Sequence, residues 1–214
     1  MVTDLEFMVG ANENILWKGK PDKKCFILES IFNPMLPFAL IWAIIDFFVI
    51  FVGLIGSGAA GASIGFILPF MLIHLMPVWI YLGGLFLCVR RYKNTEYIIT
   101  DKGIYVSGGT FSYNYEMKPF TDLSHINIHR GIFDQWLGVG DVVTVCNHGG
   151  YNSRQSHSHD GLTICDIADY QRVFAMVKQL QTDVYADTMY PNDYRPQANH
   201  GYQTEYRGEY RGRQ

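Results

Sequence analysis

The stretch LFLCVRRYKNTEYIITDKGIYV, residues 85–106, changes character halfway. It opens apolar, passes through Arg90, Arg91 and Lys93, and from Thr95 alternates like a strand. That break organises the chain. Between Met35 and Val89 the only formally charged residue is Asp46. Residues 35–55 would make a helix about 31 Å long, which matches the hydrocarbon core of a bilayer. Residues 64–89 are long enough to span with tilt, and Pro69 and Pro77 are expected to kink them. The link between them, GSGAAGAS, is small and uncharged. So short a link predicts a transmembrane helix hairpin. Gly61 and Gly65 have G-x-x-x-G spacing, but beside the link they read as part of a turn.

After Thr95 the period falls to two. TEYIIT and IYVSG read as strands around a DKG turn. FSYNYEM alternates, with Phe111, Tyr113 and Tyr115 on one face. LSHINIHRG alternates again. DVVTVC is a continuous apolar run, as in a well-buried strand, and LTICDI is the sixth strand. A helix follows, with Asp166 as its expected cap. Tyr170, Val173, Phe174, Val177 and Leu180 recur at helical spacing. Short antiparallel strands with one terminal amphipathic helix describe a small barrel or sandwich plugged by that helix.

Charge gives the hairpin an orientation. Lys18, Lys20, Lys23 and Lys24 precede it, Arg90, Arg91 and Lys93 follow it, and the link carries no basic residue. The positive-inside rule then puts both termini in the cytoplasm. Arg90, Arg91 and Lys93 are expected to touch lipid headgroups as simple anchors. Within the hairpin, Asp46 lies roughly 14 residues before a fold-back point between residues 59 and 60, and His74 roughly 15 after it. At about 1.5 Å per residue both reach similar depth near mid-membrane. Ionisable groups there are costly, and an Asp46–His74 hydrogen bond would satisfy both. Such a pair reads as a structural clasp. Its functional counterpart is a proton-linked site or part of a pore, which two helices alone cannot enclose.

Composition removes other classes. The chain has 214 residues and a net charge of -3, which argues against a basic nucleic-acid binder. Cys25, Cys88, Cys146 and Cys165 lack C-x-x-C spacing, so neither a disulfide framework nor a zinc knuckle is expected. Residues 1–33 carry acids and no early apolar core, unlike a secretory signal. The polar insert 147–160 holds His148, His157 and His159; of these, His157 and His159 with Asp160 are weak metal-ligand candidates. Gly138 and Gly140 precede a strand rather than a helix and read as a turn, not a phosphate loop. No cofactor is expected. The tail from Met189 is rich in Tyr, Arg and Gly, has few aliphatic residues, and reads as disordered.

YIITDKGIYVSGG (97–109), LGVGDVVTV (137–145), the closing IADY (167–170) and the opening ENILWKGKP (13–21) together resemble the bacterial membrane-flanked PH-like domain family. The resemblance covers roughly residues 13–180. It implies a pleckstrin-homology-like split β-barrel capped by a C-terminal helix, used as a binding scaffold rather than an enzyme. A PH-like barrel has seven strands. The seventh is expected from residues 149–155 or from 15–18 adding at an edge. The loop that binds inositol phosphates in eukaryotic PH domains corresponds to TDKG, with Lys102 alone, which argues against that ligand. The expected organisation is an N-terminal cytoplasmic segment (1–33), a two-helix hairpin (34–90), the PH-like domain (94–188) and the tail (189–214). The expected function is a non-enzymatic adaptor or scaffold at the cytoplasmic face of an inner membrane. It would recruit a protein partner and could form a homo-oligomer. The alternative is a subunit of an oligomeric transport or channel assembly using Asp46 and His74.

Overall fold

Turn chemistry and alternation set the strands. In a computed structural model describing residues 4–56, 69, 72–146 and 161–189, seven strands form among the described residues. They are β1 (Ile15–Gly19), β2 (Glu96–Thr100), β3 (Gly103–Gly108), β4 (Asn114–Pro119), β5 (Leu123–His129), β6 (Gly140–Cys146) and β7 (Thr163–Ile167). The Thr100 hydroxyl closes the β2–β3 turn by accepting the N–H groups of Lys102 and Gly103 at 3.2 and 3.1 Å. Gly109 sits at φ 123°, where a Cβ would strike the Ser112 carbonyl, so glycine is required between β3 and β4. The strands build two antiparallel sheets, ordered β1-β2-β3-β4 and β5-β6-β7.

The described residues divide into two units. One is drawn from Met1–Phe26 and Arg91–Gln214, the other from Ile27–Arg90. The first, here the sheet unit, includes the last helix, α5 (Tyr170–Met189). Val173, Met176, Val177, Leu180 and Val184 of α5 are buried among Ile99, Ile104, Val142 and Ile164 of the sheets. Tyr170 and Phe174 are only partly buried against this core. Phe120, in a 3-10 turn over Phe120–Asp122, joins the same core. On the other face of the first sheet, Leu5 covers Ile98 and Tyr105.

Several elements differ from the sequence expectation. β1 supplies the seventh strand, pairing Trp17 with Ile99 and Gly19 with Tyr97. Residues 149–155 lie outside the described residues. β4 starts at Asn114, later than expected, because Phe111 and Tyr113 are consumed in the turn before it. β6 is not a continuously buried run: Val142, Thr144 and Cys146 are buried and alternate with half-buried neighbours. Thr144 is tolerated inside because its hydroxyl donates to the Leu162 carbonyl at 2.8 Å. Asp166 does not cap α5. It lies at φ 55°, four residues before the helix, and the Asp169 carbonyl accepts the first-turn N–H of Val173. A short helix, α4 (Ile132–Leu137), precedes β6 and was not expected. It ends at Gly138, whose φ of 74° suits glycine.

The second unit is helical. Asn33 starts α2 (Met35–Gly56), its Oδ1 accepting the Met35 N–H at 2.8 Å. Pro37 falls in the first turn, where its missing N–H costs nothing. Among the described residues one helix is long and apolar enough to cross a membrane, over Met35–Val52. Its pattern is inverted relative to a water-soluble helix. Ile41, Phe47, Phe48 and Val52 are exposed, while Asp46 is 2% exposed. α3 (Met76–Asn94) carries Arg90, Arg91 and Lys93 in its last turns. α1 (Lys23–Ile31), whose first residues belong to the sheet unit, was also unforeseen. The span expected over 64–89 falls partly outside the described residues.

Candidate functional site

In the helical unit, Nδ1 of His74 lies 2.6 Å from Oδ1 of Asp46. Trp42 reinforces this contact. Its indole N–H donates to the His74 carbonyl at 2.7 Å, and its ring centroid is 5.3 Å from the imidazole. Trp42 and Asp46 are four residues apart on α2 and therefore share a face. The second carboxylate oxygen of Asp46, Oδ2, is buried without a hydrogen-bond partner among the described residues. A buried acceptor of this kind is costly.

The three expected headgroup residues are all exposed, but they are not equivalent. The Arg91 guanidinium lies 5.2 Å from the Phe26 ring centroid, a cation–π distance. Arg90 and Lys93 extend from the same helix. His157, His159 and Asp160 lie outside the described residues.

The sheet unit also contains a buried set that local sequence patterns do not reveal. Cys25 Sγ donates to Asp134 Oδ1 at 3.1 Å, and Asp134 Oδ2 accepts the Gly131 N–H at 2.7 Å. Asp166 adds a third ligating group, and ligating atoms of Cys25, Asp134 and Asp166 lie within 4.8 Å of one another. These residues could hold a metal ion. As it stands, burial pushes the Cys25 thiol up, helped by the two carboxylates, so it stays protonated and donates. Asp141 braces the same region by accepting the Asp166 N–H at 2.8 Å, and burial pushes its carboxyl up. The Cys165 thiol is likewise pushed up to about 12, chiefly by burial. Neither thiol has the lowered pKa of a reactive nucleophile.

Two exposed apolar surfaces of the sheet unit bear on function. β4 is an edge strand, and Phe111, Tyr113, Tyr115 and Met117 are exposed along it and the turn before it. On α4, Ile132 and Trp136 are exposed one turn apart. Alternation had assigned Phe111, Tyr113 and Tyr115 to one face, but gave no sign that this face is open to solvent.

The family described as Bacterial PH domain matches residues 35–181. The match spans more than half of the chain, and the chain belongs to that family. No curated protein and no solved structure matches the chain.

Proposed function

We propose that this Bacterial PH domain protein is a non-enzymatic, membrane-anchored adaptor, whose sheet unit recruits a protein at the cytoplasmic face. A PH-like domain suggests a binding role in general. The observation that carries the protein-binding part is the β4 edge. An edge strand offers unpaired backbone groups, and folds ordinarily protect such edges. Here Phe111, Tyr113, Tyr115 and Met117 are instead left open. An extended segment of a partner would add as a further strand, its side chains meeting this aromatic row. Anchoring is supported by the inverted pattern of α2, with apolar side chains outside and Asp46 inside.

The test is affinity capture with the full chain from gently solubilised membranes, read by mass spectrometry against Phe111→Asp and Tyr113→Asp. Both residues are exposed and precede β4, so folding should survive. A partner captured by the native chain should be lost from both variants. An unchanged set of captured proteins would sink the proposed edge.

A second reading, a subunit of an oligomeric transport or channel assembly, is favoured by the Asp46–His74 contact and by Oδ2 of Asp46, which has no hydrogen-bond partner among the described residues. Proton or ion flux in vesicles that depends on the chain and is abolished by Asp46→Asn would establish it in place of the adaptor. Flux no greater than in empty vesicles would remove it.

A further inference from the structure

Ile132 and Trp136 occupy one face of α4 and are 83% and 73% exposed, and Ile128 at the end of β5 is 40% exposed. Helices in a folded domain ordinarily turn such side chains inward. α4 does the reverse: its acid, Asp134, is the buried residue, at 0% exposure. Two observations limit what can cover this face. The first is size. Two or three large side chains bury a few hundred Å². A stable protein interface needs about 800 Å² per partner. A bilayer has no such minimum, because each apolar side chain that enters it contributes separately.

The second is charge. Between Leu123 and Gly140 the only acid is Asp134, which points inward to Cys25 Sγ and the Gly131 N–H. The nearest acid beyond α4, Asp141, is half-buried and accepts the Asp166 N–H. The cation of this stretch is Arg130. Its Nε and Nη2 donate to the carbonyls of Val139 and Asp134 at 2.9 and 3.3 Å, and its guanidinium lies over the Tyr170 ring at 5.1 Å. Arg130 is therefore held by neutral oxygens and an aromatic face, and among the described residues its side chain is paired with no carboxylate. His129 beside it is exposed. Within residues 123–140 the exposed surface is apolar and basic, and no acid of that stretch is exposed.

We infer that Ile132 and Trp136 form a wedge that inserts into the interfacial layer of an anionic lipid bilayer, beside Arg130. Trp suits that depth because its ring is apolar and its N–H is polar. The inference rests on the membrane reading above, and the test separates the two. The full chain is reconstituted in vesicles carrying anionic lipid with brominated acyl chains. Contributions of single tryptophans are taken as differences from Trp136→Phe and Trp79→Phe. The Trp136 component is expected to fall at least about two-fold relative to unbrominated vesicles and to resist aqueous iodide. Ile132→Glu, an exposed substitution, should relieve that quenching. Purely zwitterionic vesicles should show less quenching; equal quenching in both overturns the anionic preference. Quenching of Trp79 by brominated lipid with Trp136 open to iodide overturns the wedge and leaves the membrane reading standing. Quenching of neither by brominated lipid overturns both. A Trp136 reached by neither agent is covered by protein, which also overturns the lipid assignment.

Discussion

At the scale of single residues, the Asp46–His74 contact can be measured as a coupling. At 2.6 Å each side chain satisfies a polar atom of the other. Removing one strands its partner among apolar side chains, so each single change to Leu should cost more than the double change. Coupling across membrane helices is modest, on the order of 1 kcal/mol. A double-mutant cycle with Asp46→Leu and His74→Leu, read as unfolding of the chain in detergent, should resolve it. Strict additivity would mean that the contact adds nothing. A second prediction concerns Asp141. Burial raises its carboxyl, so the folded state holds that proton more tightly than the unfolded state. Its contribution to stability is then largest at acid pH and is lost as pH rises through the raised value. Asp141→Asn keeps an oxygen to accept the Asp166 N–H and removes the charge. It should raise the thermal midpoint at pH 7, and the gain should fade as pH falls below the ordinary carboxylate value. A midpoint lowered by the same amount at both pH values would show that the carboxylate itself is needed.

At the scale of elements, α5 shows how far periodicity reaches. Helical spacing marked Tyr170, Val173, Phe174, Val177 and Leu180 as its buried face. Val173, Val177 and Leu180 are buried, whereas Tyr170 and Phe174 lie at the border of the core. Phe174→Ala should therefore cost about 2 kcal/mol, less than the ~3–5 of a fully buried ring. Leu180→Ala, at a fully buried position, should cost as much or more, about 2–5 kcal/mol. Urea unfolding of both variants gives the order, and a Phe174→Ala cost above that of Leu180→Ala would reverse it. β2, β3, β5 and β7 were legible because alternation ran between turn signals such as Thr100–Gly103. α4 was not, because its apolar residues face out and its acid faces in, which inverts the usual pattern. Nor was the Cys25–Asp134–Asp166 set: the three come from segments far apart in sequence, and none carries a local motif.

At the scale of the whole molecule, one pairing constrains the path of the chain. β1 precedes α2 and β2 follows α3, yet they are neighbouring strands, with Lys18 opposite Ile98. Hydrogen-bonded strands cannot lie on opposite sides of a bilayer. Between Gly19 and Glu96 the chain must therefore cross a membrane an even number of times. If Met35–Val52 crosses once, a second crossing must follow before Glu96. The second apolar stretch, 64–89, is the segment available for it. This argument uses strand register alone and is independent of the positions of Lys and Arg. The side is then a separate expectation, and the positive-inside rule predicts the cytoplasm for both ends. Single-cysteine labelling of intact cells can test the whole path, with the four native cysteines replaced. A cysteine in the GSGAAGAS link should react with an impermeant maleimide from outside. Cysteines at exposed Asn12 and Lys178 should react only after the membrane is opened. Labelling of Asn12→Cys and Lys178→Cys on opposite sides would break the β1–β2 pairing. Labelling of all three from one side would remove the crossing of α2, and with it the anchor.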